Sequence, residues 1–268
     1  MELKLLRSTQ DILKLISEKT RKPFEFIKKP DMKTMAAIKI ARKNMASHIL
    51  YYKDDRGSIL DHLIAHECGH INRMWDVPPG DRIVPASNEE NKRLALTQIG
   101  EDLNKLAKSI PVEHLGEVSN MWFHGIIRQV TNIPVDMRIE KWIFDNYPEL
   151  RRSQVSSIDR QMREGAQVLS KRVEDFTPKK IYDASNYINC SFAIAMESLI
   201  GKKYTAPYRS TPYTGLGSKL ADLVMRSEDR GFKQDIEIIN QWTEMLGLKG
   251  WYYWADFEDD PPDYLQNN

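Results

Sequence analysis

One short segment of the chain carries residues whose types and spacing suit metal chemistry. Residues 66–70 read His66-Glu67-Cys68-Gly69-His70. Residues four apart lie on one face of a helix, so the two imidazoles can bind one metal ion. The glutamate beside the first histidine can then take a proton from a water that attacks a carbonyl group. The spacing therefore indicates a metal-dependent hydrolytic site.

The residues around this motif strengthen the metal interpretation. On a helical wheel of about 100° per residue with His66 at zero, His70 lies at about 40° and Glu67 at about 100°. Glu67 then falls within an apolar arc formed by Leu60, Leu63, Ile64, Ile71, Met74 and Trp75. A buried carboxylate without a partner is costly, so a purely structural glutamate is disfavoured there. Gly69 weakens a helix, yet it would let another element approach closely.

A catalytic zinc usually has three protein ligands and a water, so the motif needs a further ligand. Asp136 and Glu140 are four residues apart within a predicted helix over 134–146, and both lie on its inward, apolar face. Two acids there need a counter-charge, which a divalent cation bound to two neutral histidines would supply. Arg or Lys side chains could supply it instead. The two acids are therefore candidate ligands.

Other side chains compete for this role. Glu89 follows His70 after eighteen intervening residues, but acidic residues are also expected in the first turn of a helix. His62 lies one turn before the motif, and three histidine ligands on one straight helix are a poor fit. The remaining candidates are minor or are interpreted as ordinary polar or core residues: Glu197, His48, His114 and His124.

The motif and its surroundings resemble the zincin metallopeptidases, over the strand at 45–52 and the helix at 58–75. In that superfamily an edge strand precedes the active-site helix and pairs with extended substrate. Residues 45–52 are therefore expected to bind substrate along their backbone. The metzincin subgroup would require a third histidine six residues after His70, where this chain has Asp76. The resemblance is therefore gluzincin-like.

The gluzincin resemblance implies a division of roles between two acids on one helix. One acid binds the metal, and another one turn away orients a ligand histidine. Asp136 and Glu140 could divide these roles either way. The Asn88-Glu89 pair is similar to one in gluzincin aminopeptidases, which keeps Glu89 as an alternative ligand. The resemblance also implies a Zn²⁺ cofactor, a peptide or protein substrate, and Glu67 as the catalytic base.

The elements that must position these residues are mostly helical. Residues 34–41 and 45–52 read as two strands of a hairpin, and Ser58 with Asp61 would cap the helix that follows. A Gly, Pro and Tyr-rich loop is predicted over 201–217. Further helices are predicted over 1–20, 88–109, 114–131, 134–146, 150–175, 180–200, 218–229 and 233–247.

The expected fold class is α+β and mostly α. It has a zincin-like core with a small N-terminal sheet and an active-site helix, followed by a helical C-terminal region. Residues 1–150 are expected to form the metal-binding catalytic region, and residues 151–268 a helical region packed on it. The two regions are expected to form one compact unit.

Composition and charge limit the classes of function. The 268 residues carry 39 Lys and Arg against 38 Asp and Glu, a net charge of +1, so nothing favours nucleic acid as a partner. No apolar run is long enough to span a bilayer, and the charged N-terminal segment does not resemble a signal peptide. Cys68 and Cys190 cannot build a disulfide framework and are expected to be buried thiols. We therefore expect a cytoplasmic protein with no membrane partner.

Together these features predict a zinc metallopeptidase. His66 and His70 are expected to bind Zn²⁺, and Glu67 to activate a water. Asp136 or Glu140 is expected to complete the ligand set. The alternative is a non-catalytic binding or regulatory metalloprotein on the same scaffold. The loop over 201–217 is either a surface connection or a source of tyrosines that stabilise an oxyanion, namely Tyr204, Tyr208 and Tyr213.

Overall fold

A computed structural model describes residues 4–32, 35–53, 59–108 and 110–259 of the chain. Within these ranges the fold is mostly helical with two small sheets, which confirms the expected class of α+β, mostly α. The helices are α1 (Arg7–Thr20), α2 (Leu60–Met74), α3 (Glu89–Gln98), α4 (Gly100–Leu106), α5 (Val112–Asn146), α6 (Arg151–Gln167), α7 (Lys171–Asp175), α8 (Lys179–Ile200), α9 (Tyr213–Met225) and α10 (Phe232–Met245). The strands are β1 (Phe24–Lys28), β2 (Ala36–Lys39), β3 (His48–Tyr52), β4 (Ile83–Ala86) and β5 (Tyr253–Asp256). Among the helices of the described residues, none has the length and apolar character needed to cross a membrane.

The described residues group into two compact units. Unit 1 comprises those within Met1–Arg82, Arg138–Gln161 and Arg230–Phe232. Unit 2 comprises those within Ile83–Met137, Met162–Asp229 and Lys233–Asn268. Helix α5 contributes residues to both units. The division at residue 150 that the sequence suggested stays a prediction.

The sheet of unit 1 has three strands in the order β1-β3-β2. Strands β2 and β3 pair antiparallel, with Ile38 opposite Leu50, so the predicted hairpin is confirmed. Strand β1 pairs parallel with β3, with Phe24 opposite His48, and was not predicted because Pro23 and Pro30 indicated a connection there. Strand β3 is therefore central. The expected edge position of residues 45–52 is wrong, because β1 occupies the side that a substrate would need.

Helix α2 carries the His66–His70 motif and packs against α1. The Oδ1 atom of Asp61 accepts hydrogen bonds from the backbone N–H of Leu6 at 2.8 Å and the hydroxyl of Thr9 at 2.7 Å. At the other end, the Lys19 ammonium donates to the Oδ1 atom of Asp76 at 2.6 Å. The predicted helix over 58–75 is confirmed as Leu60–Met74, while Ser58 lies outside the described residues. Asp61 thus satisfies donors at the start of α1.

Helix α5 is one continuous helix of 35 residues, whereas the sequence predicted two helices that meet near Pro134. A proline inside a helix removes one backbone hydrogen bond and costs about 3 kcal/mol. The residues on either side of it are buried, with Val130 fully enclosed and Ile133 and Met137 nearly so. Burial of this apolar face offsets the local cost. Tertiary packing therefore overrides the break that the sequence indicated.

In unit 2, helices α8 and α9 pack around a core of aromatic and small side chains: Tyr182, Cys190, Ala193, Tyr208 and Tyr213. A Cβ atom at Gly217 would lie 3.0 Å from the Sγ atom of Cys190, so the absence of a side chain there permits this close packing. The predicted loop over 201–217 is too long, because α9 begins at Tyr213 directly after Pro212. The expectation that both cysteines are buried thiols is confirmed.

Candidate metal centre

The two histidines of the motif lie on successive turns of α2. The ring centroids of His66 and His70 are 5.1 Å apart, with the ring planes inclined at 72°. Both side chains are half-buried, as is Glu67 beside them. This arrangement leaves the three side chains accessible to small molecules while the helix holds their spacing. It is the local geometry that two imidazole ligands and a neighbouring base require.

Gly69 allows helix α5 to approach this face of α2 very closely. A Cβ atom at Gly69 would lie 2.5 Å from the Cγ2 atom of Ile139, a distance that real side chains do not tolerate. The expectation that Gly69 admits a neighbouring element is therefore confirmed, and the element is α5. Ile139 is almost fully buried and is followed by Glu140. The close approach thus brings the Glu140 region of α5 to the motif helix.

Glu140 is the centre of a buried hydrogen-bond network. Its side chain is 2% exposed, and its Oε1 atom lies 2.8 Å from Nδ1 of His66. Its Oε2 atom lies 2.9 Å from Nε2 of His62 and 2.6 Å from Nε2 of Gln154. A carboxylate can only accept, so the three nitrogens donate. Both oxygens of Glu140 are therefore engaged by side chains of unit 1.

The electrostatics of this cluster keep Glu140 ionised. Burial alone raises the pKa of the Glu140 carboxyl, because the charged form loses its hydration. The positive charge that His62 and His66 carry when protonated, and their hydrogen bonds, act in the opposite direction and outweigh burial, holding the pKa of Glu140 well below its usual range. Two imidazole rings thus offset the cost of burying the charged carboxylate of Glu140.

The partner of Nδ1 decides what the other nitrogen of His66 can do. A neutral imidazole that donates from Nδ1 to a carboxylate carries its lone pair at Nε2. Metal-binding histidines usually have this arrangement, with an acid fixing the tautomer and the ring orientation. The donor set around His66 is therefore compatible with a metal ion at Nε2.

The cluster offers a second way to hold an ion. One ligand atom each from His62, His66 and Glu140 lie within 4.8 Å of one another. In that arrangement the histidine nitrogens that now face Glu140 would face the ion instead. Asp136 lies on α5 one turn before Glu140 and is buried. Because residues four apart share a helix face, Asp136 and Glu140 lie on the same face of α5.

The structure places the competing candidate ligands in other environments. Glu89 is exposed in the first turn of α3, where its charge suits the helix terminus. Glu197 accepts hydrogen bonds from the backbone N–H and the hydroxyl of Thr205, at 2.8 and 2.7 Å, which gives it a structural role in unit 2. His114 is exposed on α5 and His124 is half-buried on the same helix.

The tyrosines of the segment 201–217 belong to the core of unit 2. Tyr208 is 3% exposed and Tyr213 is 7% exposed, and Tyr204 packs against the same cluster. The hydroxyl of Tyr213 donates to the Oδ1 atom of Asp183 at 3.1 Å. The interpretation of this segment as a surface connection is wrong for Tyr208 and Tyr213, because aromatic packing buries them. Their positions give no support to a role in stabilising an oxyanion.

Two residues of the network were missed as functional candidates by the sequence analysis. His62 was considered as a metal ligand and set aside, whereas the structure makes it a donor to Glu140. Its place one turn before His66 was the available signal. Gln154 lies on α6 and is fully buried together with Ile158, one turn later. An amide on the same helix face as a core isoleucine was the signal in that case.

Comparisons with known proteins give no match: no family, no curated protein and no solved structure matches this chain. The functional interpretation therefore depends on the residues of the site and their chemistry. The interpretation is supported by three features: the spacing of the motif, the buried carboxylate of Glu140, and the tautomer of His66 that this carboxylate favours.

Proposed function

We propose that the protein is a zinc-dependent hydrolase that acts on peptide or protein substrates. In this proposal His66 and His70 bind Zn²⁺ and Glu67 is the general base. The observation that carries the proposal is the 2.8 Å contact between Nδ1 of His66 and Glu140. In the neutral ring this contact places the lone pair at Nε2, which is the arrangement typical of metal-binding histidines.

Asp136 is proposed as the third ligand, with Glu140 in the orienting role. Both oxygens of Glu140 already accept hydrogen bonds from side chains, so its carboxylate serves to hold donors. Asp136 lies one turn earlier on the same helix face. This division matches the roles that the gluzincin resemblance implies for two acids one turn apart, and it chooses between the two orders that the sequence left open.

Glu67 supplies the proton transfers of the reaction. When bound, Zn²⁺ would polarise the scissile carbonyl and make a water more acidic. The Glu67 carboxylate accepts the proton of the attacking water and then delivers it to the nitrogen of the departing amine. Its half-buried position on α2 limits competition from bulk water for its oxygens. Peptide hydrolysis requires both transfers, since the amine leaves poorly as an anion.

The strand order changes the expected mode of substrate binding. Backbone pairing with β3 is excluded for a substrate because β1 and β2 flank it on both sides. An extended peptide that adds to this sheet would have to pair with β1 or β2, the two strands with one neighbour each. A peptide substrate therefore stays part of the proposal, while the strand that recognises it changes.

Metal content and hydrolysis test the proposal together. We expect about one Zn²⁺ per chain in the wild type and its loss in His66→Ala and in Asp136→Ala. Glu67→Gln should keep the metal and lose about 10²–10⁴-fold of the rate on a mixture of unfolded protein substrates. His114→Ala serves as the control, because this histidine is exposed. A Glu67→Gln protein with unchanged hydrolysis would contradict the proposal.

One observation favours the alternative of a non-catalytic metalloprotein. The atoms of His62, His66 and Glu140 that lie within 4.8 Å of one another could close a buried structural site. That site would leave Glu67 without a role and would not depend on Asp136. In this case His62→Gln would lose the metal, Asp136→Ala would keep it, and the wild type would hydrolyse nothing. The same set of proteins therefore separates the two functions.

A further inference from the structure

We propose that His62 and Gln154 are positioning residues of the metal centre, which hold the Glu140 carboxylate in the one orientation that serves His66. This inference rests on the proposed function, because it assigns His66 as a metal ligand. It adds two residues, one on α2 and one on α6, to a site that the motif alone does not define. Neither is proposed to touch metal or substrate.

Donors reach both oxygens of the Glu140 carboxylate. Oε1 lies 2.8 Å from Nδ1 of His66 and 3.1 Å from Nε2 of His62. Oε2 lies 2.9 Å from the same His62 nitrogen and 2.6 Å from Nε2 of Gln154. His62 and Glu140 are each 2% exposed, and Gln154 is fully buried. The donors at Oε2 come from two different helices, so they restrain the carboxylate from two directions.

Gln154 is itself held in place by a second hydrogen bond. Its Nε2 atom also donates to the main-chain oxygen of Glu140 at 2.8 Å. The amide therefore bridges the side chain and the backbone of one residue. His62 is held by the helix that carries His66, with the two ring centroids 6.1 Å apart and inclined at 60°. Gln154 is thus restrained by two bonds to one residue, and the position of His62 on α2 places its ring beside that of His66.

Removal of these donors would have a specific effect on His66. The last torsion of a glutamate side chain is broad, so the carboxylate turns easily unless both oxygens are held. With Oε2 left unsatisfied in a buried site, the carboxylate would turn toward other donors, since an unpaired buried charge is costly. The His66 ring would then lose its fixed tautomer and direction, and Zn²⁺ affinity would fall.

The test compares a donor-keeping variant with a donor-deleting variant at the same position. The Nε2 atom of a glutamine can replace that of a histidine, so His62→Gln keeps the donor and His62→Leu removes it. The dissociation constant for Zn²⁺ is measured by competition with a chelator. His62→Leu should weaken it by about 10–100-fold. His62→Gln should stay within about threefold of the wild type, because the hydrogen bond is retained.

A second position and a second readout keep the test decisive. Gln154→Met removes one of the two donors at Oε2 with little change in volume, and we expect a loss of about tenfold in Zn²⁺ affinity. With Co²⁺ in place of Zn²⁺, the visible absorption bands should shift in His62→Leu and not in His62→Gln. Thermal unfolding of each protein identifies variants that do not fold. If His62→Leu does not fold, the Zn²⁺ affinity of Gln154→Met alone tests the positioning role.

The outcomes separate this inference from the proposed function. A wild type that binds no Zn²⁺ would refute the proposed function and this inference with it. A wild type that binds Zn²⁺, with folded His62→Leu or Gln154→Met at wild-type affinity, would refute the inference alone. Equal losses in folded His62→Gln and His62→Leu would also overturn it, because ring packing or direct ligation would then explain the effect.

Discussion

Two regions of unit 1 hold a histidine ring by hydrogen bonds, and the partners are chemically different. In the sheet, Nδ1 of His48 accepts from the backbone N–H of Ala41 at 2.9 Å, and Nε2 faces the hydroxyl of Thr20 at 3.0 Å. Both nitrogens of that ring are used by neutral groups. In the cluster on α2, Nδ1 of His66 faces the carboxylate of Glu140 at 2.8 Å. One nitrogen of the His66 ring is therefore hydrogen-bonded to a carboxylate.

The two rings differ both in burial and in the group that faces Nδ1, since His48 is fully buried and His66 is 17% exposed. Burial and, to a lesser degree, the charge of Lys22 lower the pKa of His48 from 6.5 to about 4, so this ring stays neutral and shares no charge. At His66 the carboxylate accepts a hydrogen bond from Nδ1 and fixes the direction of the ring. The sequence contains both residues as plain histidines, and the structure separates them by what faces Nδ1.

The largest expected effect tests whether the two histidines differ in metal binding. His66→Ala should weaken Zn²⁺ binding by more than about 100-fold, since changes behind a ligand alone cost about 10–100-fold. His48→Gln should leave the affinity unchanged, because both ring nitrogens of His48 already have partners. Chelator competition at pH 7 measures both. A comparable loss in the folded His48→Gln protein would remove the distinction.

The next effect concerns the acid side of the pH range. His48 has a lower pKa when folded than the usual 6.5, so the unfolded chain takes up a proton that the folded protein refuses. Protonation of His48 therefore does not reduce the free energy of unfolding above pH 6.5. As the pH falls from 6.5 toward 4, this one group lowers the free energy of unfolding by up to about 3 kcal/mol.

Urea unfolding at pH 7 and at pH 4.5 measures this effect in the wild type and in His48→Gln. At pH 7 the His48→Gln protein should have a lower free energy of unfolding than the wild type, because one hydrogen bond is lost. Between pH 7 and pH 4.5 its free energy of unfolding should fall by less than that of the wild type. Other groups titrate in both proteins, so the difference between their slopes isolates His48. Parallel slopes would show that the buried ring does not resist protonation.

A smaller effect sharpens the reason why Glu140 reaches the motif. Gly69→Ala should destabilise the protein by about 1–2 kcal/mol, because overpacking against Ile139 costs more than the helix gains from alanine. Gly125→Ala on α5 is the matched control. A Cβ atom there would meet nothing within 4 Å, so this variant should gain about 0.5–1 kcal/mol. Denaturant unfolding compares the two, and a stabilising Gly69→Ala would contradict the close approach of α5.

The smallest expected effect is at the remaining acidic candidate. Glu89→Ala should leave Zn²⁺ affinity within error of the wild type, because this carboxylate is exposed at the start of α3. Isothermal titration of the metal-free protein with Zn²⁺ checks it. A tenfold or larger loss would identify Glu89 as a ligand and would return Asp136 and Glu140 to structural roles.

The helix that carries the motif is predicted from the sequence, because its pattern depends on residues close together in the chain. The sequence also indicated that Gly69 admits a neighbouring element, but not that the element is α5. The strand order was mispredicted, since the position of β3 depends on its pairing with the segment between Pro23 and Pro30. The continuity of α5 through Pro134 depends on burial that only the folded chain provides. The hydrogen bonds of His62 and Gln154 to Glu140 join residues far apart in the sequence, so they were missed for the same reason.

The network around Glu140 also has a consequence for the chain while it is being synthesised. Glu140 follows His66 by 74 residues, so the complete motif leaves the ribosome well before the acid that orients it. At about 5–20 residues per second, this delay is about 4–15 s. Under the proposed function, both motif histidines would be available to a metal ion during that time without Glu140 to orient His66. Correct loading with Zn²⁺ would then have to follow the synthesis of α5 and α6.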